Sequence, residues 1–160
     1  MKNITVKDNF PALQKLLKQL PLKSVFVGVP ANTSEAREGE PINNATIAYI
    51  QQNGSPANNI PARPFMTIGM DEAKLPATKQ LESAAKKFFK SRDMTDIEQG
   101  LGKAGFVAEN AIKRAINSNI APALAPATIA SRNRRGRTGT NTLVDTGALR
   151  NSIRYVIRES

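Results

Sequence analysis

The chain has 160 residues, 40% hydrophobic and 22% charged, with 23 Lys and Arg against 13 Asp and Glu and a formal net charge of +10. That length and balance fit one domain with a real core and exclude wholesale disorder, and no apolar run is long enough to cross a membrane. Cysteine and histidine are both absent, which removes disulfides, thiol nucleophiles, Cys/His zinc sites and the histidine general base.

The stretch Met1 to Asp8 lacks the apolar core and cleavage site of a signal peptide, so synthesis and use in a cytoplasm is the expectation. Ile4-Thr5-Val6 is β-prone and predicts a short edge strand. Phe10, Leu13, Leu16, Leu17 and Leu20 recur at threes and fours, one face of a helix. Asp8 or Asn9 can cap it, Pro11 suits its first turn and Pro21 stops it. Ser24 to Val29 is a dense apolar run closed by Pro30 and reads as a buried strand. The segment 31–41 is polar, without apolar periodicity, and reads as a flexible loop.

A helix over Ile42 to Gln52, with Ile42, Thr46, Tyr49 and Ile50 on one side, is expected to stop at Gly54. Prolines restrict Arg63-Pro64-Phe65 to an extended path. Two readings of it stand side by side: a rigid linker with one aromatic in the core, or a preformed contact surface presenting Arg63. Two long helices follow. The first is expected over 71–90, with Asp71 and Glu72 at its start, Leu81, Ala84, Ala85, Phe88 and Phe89 inward, and Lys86, Lys87 and Lys90 at its end. The second opens on Thr95-Asp96-Ile97-Glu98, the pattern of a capping box. Its inner stripe is Ile97, Leu101, Ala104, Ala108, Ala111 and Ala115, flanked by Val107, Ile112 and Ile116. Gly100, Gly102 and Gly105 weaken its first half by roughly 1 kcal/mol each relative to alanine, and predict a bend or a late start.

Pro126 begins a short helix. The segment 133–141 has no apolar residue and reads as a flexible loop, mobile to about residue 142. Arg132, Arg134, Arg135 and Arg137 crowd this region, a cluster expected to stay extended until a partner's acids or phosphates neutralise it. Asp145 or Thr146 is expected to cap a short helix containing Leu149 and Arg150, with Gly147 leaving room for close backbone approach. The Asp145-Thr146-Gly147 string also occurs in acid proteases, but a single copy in a helical setting reads as structural. Ile153, Tyr155 and Ile157 then share one face of a final strand. The expected fold is α+β: a small mixed or antiparallel sheet of about three strands, packed on one side by several helices, with long polar loops, in one domain over 1–160.

No convergent carboxylates and no phosphate-cradling glycine loop occur, so the sequence reads as a non-enzyme without cofactor or metal. The basic balance fits contact with nucleic acid or an acidic protein surface. Against a nucleic-acid-binding protein stand the lack of a recognition-helix signature and only 5% aromatics for stacking bases.

The order of motifs carries a further reading. Val27-Gly28-Val29-Pro30, the helix stop at Gly54, Pro61-Ala62-Arg63-Pro64-Phe65, two helices, Leu124 to Arg132 and Leu143 to Ile153 follow one another. This series resembles the neck and tail-completion proteins of long-tailed bacteriophages, with Gln52-Asn53 standing where an acidic-aromatic pair is more usual. The resemblance implies a virion structural protein made in the bacterial host cytoplasm and placed at the head–tail junction. It implies a homo-oligomeric, six-membered ring meeting head-closure or connector proteins, tail-terminator or tail-tube proteins and genomic DNA in the channel, with no membrane role. Arg63, Pro64, Phe65 and the four clustered arginines are then the expected assembly contacts, and Asp145, Thr146, Gly147, Leu149 and Arg150 a structural motif.

Overall fold

The computed structural model describes residues 10–18, 23–30 and 42–159. The expected strand at Ile4 to Val6, the loop 31–41 and the helix stop at Pro21 lie outside them. The elements run α1 (Phe10–Leu17), β1 (Lys23–Gly28), α2 (Asn44–Asn53), α3 (Phe65–Ser91), α4 (Met94–Asn117), α5 (Pro126–Arg134), α6 (Ala148–Ser152) and β2 (Arg154–Glu159). The expected α+β class is therefore the fold observed.

Among the described residues the sheet has two strands, the third expected one lying outside them. β1 and β2 pair antiparallel, from Lys23 opposite Glu159 to Gly28 opposite Arg154. Strand alternation turns Val25 and Tyr155 onto α4, against Gly105. Phe26 and its partner Val156 point the other way, and Phe26 is 55% exposed. β1 is thus half-buried and not a buried strand, because among the described residues helices cover only one face of the sheet. Glu109, on α4, accepts the backbone N–H of Tyr155 at 3.0 Å and so pins β2 to that helix.

α3 and α4 form a long helical hairpin whose turn is Arg92-Asp93. α3 begins at Phe65, earlier than the acidic residues suggested, because its first turn is capped from a distance. Gln52 Oε1 accepts the Met66 N–H at 2.9 Å, and Gln52 Nε2 donates to Thr67 Oγ1 at 2.8 Å. Asp71 and Glu72 consequently sit beyond the first turn, and Glu72 pairs with Arg114 of α4. Leu81 and Phe89 are exposed, while Ala84 and Phe88 face inward as expected.

The capping box at the start of α4 does not form. Asp93 is the N-cap, accepting the Thr95 N–H at 2.9 Å. The helix runs unbroken through its glycines, contrary to the expected bend or late start, and Gly100 and Gly105 are buried in it. They mark close approaches: a Cβ on Gly100 would lie 2.1 Å from Ala84 Cβ, and one on Gly105 2.5 Å from the Tyr155 ring. Gly69, on α3, does the same against the backbone of Ile112.

α2 is capped by Asn43, whose side chain accepts the Thr46 N–H. Its inner side is Ala48 with Ile47, and Tyr49 is 70% exposed, so the face expected from Ile42 and Tyr49 is corrected by about a third of a turn. Gly54 ends α2 as foreseen, at φ +76°, a left-handed conformation suited to glycine. The main core joins Phe65, Ile112, Ile116, Leu143, Leu149 and Ile153. The start of α3 and the segments after α5 therefore meet around the end of α4.

Candidate functional site: an arginine cleft where distant segments meet

The segment after α2 folds back as a short 3-10 turn, Pro56–Asn58, closed by a bridge between Ser55 and Ile60. It then runs extended into α3, and Arg63 N–H donates to the Gln51 carbonyl at 2.7 Å. Opposite it stand the residues leading into α5. Between the two lies a cleft of ≈ 910 Å³. Its walls include Pro56, Ile60, Pro61 and Leu124, and its polar lining includes Arg63 and Arg132.

Both arginines are interior, 5% and 6% exposed. Arg63 donates from one terminal nitrogen to the Pro122 carbonyl at 2.8 Å, while its buried Nε has no hydrogen-bond partner. Among the described residues no carboxylate lies within ion-pair distance of Arg63. Burial first, and then the positive charge of Arg132, hold the Arg63 guanidinium below its ordinary value.

Arg132 is satisfied in another way. Its Nη1 donates to the carbonyls of Gly139, Asn141 and Val144 at 3.0, 2.7 and 3.2 Å. Its Nε stands 3.5 Å from Asp145 Oδ1, an ion-pair contact longer than a well-formed hydrogen bond. Asp145 Oδ2 also accepts from Arg137 at 2.5 Å. Asn141 adds to this order by accepting the Leu143 and Val144 amides, and Thr142 bonds to Asn119 and Ile120. The segment 133–141, where a free, flexible loop was expected, begins within α5 and is bonded to Arg132 through the Gly139 and Asn141 carbonyls. Like charges did not repel one another outward here, because backbone carbonyls and Asp145 accept two of them.

The expected contact residues divide accordingly. Arg63, Phe65 and Arg132 are interior, Pro64 is half-buried and Arg137 is held by Asp145, so none of these presents a free side chain at the surface. Arg134 and Arg135 are exposed, although Arg135 bonds back to Ser131. In the Asp145 motif the parts differ from those expected. Asp145 is an ion-pair acceptor, and Thr146 Oγ1 accepts the Ala148 N–H at 3.3 Å. Gly147 is the residue at the helix start, with φ +80° and no neighbour closer than 3.7 Å to a Cβ. Its need is conformational, not spatial. Leu149 is buried, and Arg150 lies beside Gly147.

The sequence reading missed Gln51, Gln52, Glu109, Asn141 and Thr142. Gln52 stood out only as a departure from the family pattern, and its acceptor oxygen is what caps α3. Among the described residues no group of three or more acidic side chains could hold a metal ion, and no helix is long and apolar enough to cross a membrane. The chain matches no family model, no curated protein and no solved structure.

Proposed function

We propose that this chain is a structural, non-catalytic component of a bacteriophage neck, forming a ring of identical subunits, six in number, at the head–tail junction. The observation that carries the reading is the meeting of motifs that the sequence keeps far apart. Arg63 of the "PARPF" segment and Arg132, which ends "LAPATIASR", line one cleft. Arg132 reaches into the "LVDTGALRNSI" segment through Val144 and Asp145. Phe65, Leu149 and Ile153 share one core cluster. Motifs that resemble a family in sequence order thus also form one physical unit, as members of a common fold would require.

The partners implied are head-closure or connector proteins on one side and tail-terminator or tail-tube proteins on the other, with genomic DNA in the channel. The small sheet supports self-association, since both its strands are edges among the described residues. The alternative of a basic nucleic-acid-binding protein is weakened by the inward placement of Arg63 and Arg132. Imaging of intact phage particles with this chain labelled tests the proposal. Density at the head–tail junction, with six copies by mass measurement, is expected. Label confined to the capsid shell, the tail tip or the packaged DNA would overturn it.

A further inference from the structure

We infer that the cleft between the 51–63 segment and the start of α5 is a docking site for an acidic segment of a protein partner, with a carboxylate seated on Arg63. The site stands on its own geometry and does not depend on the phage reading. Its lining contains two arginines and no acidic residue. Burying a guanidinium is costly unless an anion or a full set of acceptors compensates it. Arg132 has that set and Arg63 does not: one carbonyl accepts from it, and its Nε is unpartnered.

A second observation points to the same place. α5 opens on Ala125, which makes no side-chain cap, and both Ala125 and Thr128 line the cleft. Pro126 carries no N–H and the Thr128 N–H donates to the Ala125 carbonyl at 2.9 Å, so the helix start offers an anion the positive end of its dipole and not a free amide at these positions.

The walls decide what kind of anion fits. They are prolines and aliphatic side chains, and the cations lie at depth with almost no exposed surface. A nucleic-acid backbone is recognised by cations displayed at the surface, and Arg63 and Arg132 are not displayed. A side chain on an extended peptide can reach it, while neighbouring apolar residues cover Ile60 and Leu124. The volume of ≈ 910 Å³ is enough for a few residues and lies in the range of roughly 300–1,000 Å³ usual for ligand sites.

The test follows the Arg63 Nε–H resonance by nitrogen-15 NMR in the full chain. The probes are a capped Leu-Glu-Leu tripeptide, its Leu-Gln-Leu counterpart and inorganic phosphate, at one ionic strength. The expected result is a saturable shift with the glutamate peptide and binding at least about tenfold weaker for the other two, since the charged hydrogen bond is lost or misplaced. Ala123→Glu, which places an acid in the cleft wall, should raise the melting temperature and weaken the glutamate peptide by about the same factor. A resonance unmoved by the glutamate peptide, or moved equally by the glutamine one, overturns the inference. So does phosphate binding as tightly as the peptide. A variant with Glu35, Glu38 and Glu40 changed to glutamine is titrated alongside. Binding by that variant alone would mean the chain's own acids occupy the cleft, and would overturn an external partner.

Discussion

Gly69→Ala tests whether α3 and α4 depend on glycine for their separation. In an exposed helix the change would be favourable by about 1 kcal/mol, because glycine is the costlier residue in a helix interior. At this position a Cβ would lie 2.5 Å from Ile112 Cα and 2.7 Å from Ile112 N. These are backbone atoms, so no rotamer change relieves them, and α3 and α4 must move apart along helices of 27 and 24 residues. Overpacking of this kind costs about 1–3 kcal/mol, and backbone clashes belong at the upper end. The steric term wins, leaving a net loss of about 2 kcal/mol, or about 4–8 °C in melting temperature for a domain of this size. Gly102→Ala is the matched control. Its Cβ would meet only the Tyr155 hydroxyl, at 3.8 Å, so it should gain about 1 kcal/mol and melt about 2–4 °C higher. Thermal unfolding followed by circular dichroism at 222 nm, a wavelength that reports helix, reads both variants. Equal stabilisation by the two alanines would refute the close approach. A third variant, Gly100→Ala combined with Ala84→Gly, should recover most of what Gly100→Ala alone loses, since the added methyl group then has space.

Arg132→Lys should cost about 2 kcal/mol in urea unfolding, because a single ammonium cannot serve the three carbonyls and Asp145 together, whereas Arg134→Ser should stay within about 0.5 kcal/mol; equal effects would deny Arg132 its structural role. Ile153→Ala, at a fully buried core position, should cost about 2–5 kcal/mol in the same assay, and a loss below 1 kcal/mol would place the residue outside the core. The hydroxyl and amide of Thr95 hold Asp93 below its ordinary value of 3.8. A depressed folded-state value means that this contribution is present at neutral pH and is lost as pH falls below 3.8 through the folded value. Asp93→Asn keeps an acceptor without a titrating group, so its stability should fall less steeply than that of the unmodified protein in the acid limb; parallel curves would show that Asp93 does not contribute there.

What the sequence made legible was what depends on local periodicity. The α4 stripe from Ala104 to Ile116 lies in the core because threes and fours define one helix face whatever it packs against. β1, the stop at Gly54 and the proline start of α5 are likewise written in neighbouring residues. The features that escaped depend on partners far along the chain. α3 starts where Gln52 caps it, fourteen positions before Met66, and no pattern at Phe65 announces that bond. Arg132 sits in a run that reads as surface, yet its acceptors are mostly backbone carbonyls, which leave no mark in a sequence. The glycines of α4 looked like weak points by propensity alone. Only the facing atoms of Ala84 and Tyr155 reveal them as the places where α4 comes nearest to α3 and to the sheet. The candidate site was half legible: its residues were singled out, but as outward contacts and not as the lining of a cleft.

The register of the two strands has a mechanical consequence. Lys23 lies opposite Glu159, so the chain comes into β1 and leaves β2 at the same corner, on neighbouring strands. A tension applied through these two points would part the strands one residue pair at a time, beginning at that corner, instead of shearing every pair together. Lys23 holds Glu98 of α4 and Glu109 holds the Tyr155 amide, so each strand is separately fastened to the helix beneath it. A load applied between Lys23 and Glu159 would therefore open the sheet first and leave the α3–α4 hairpin packed.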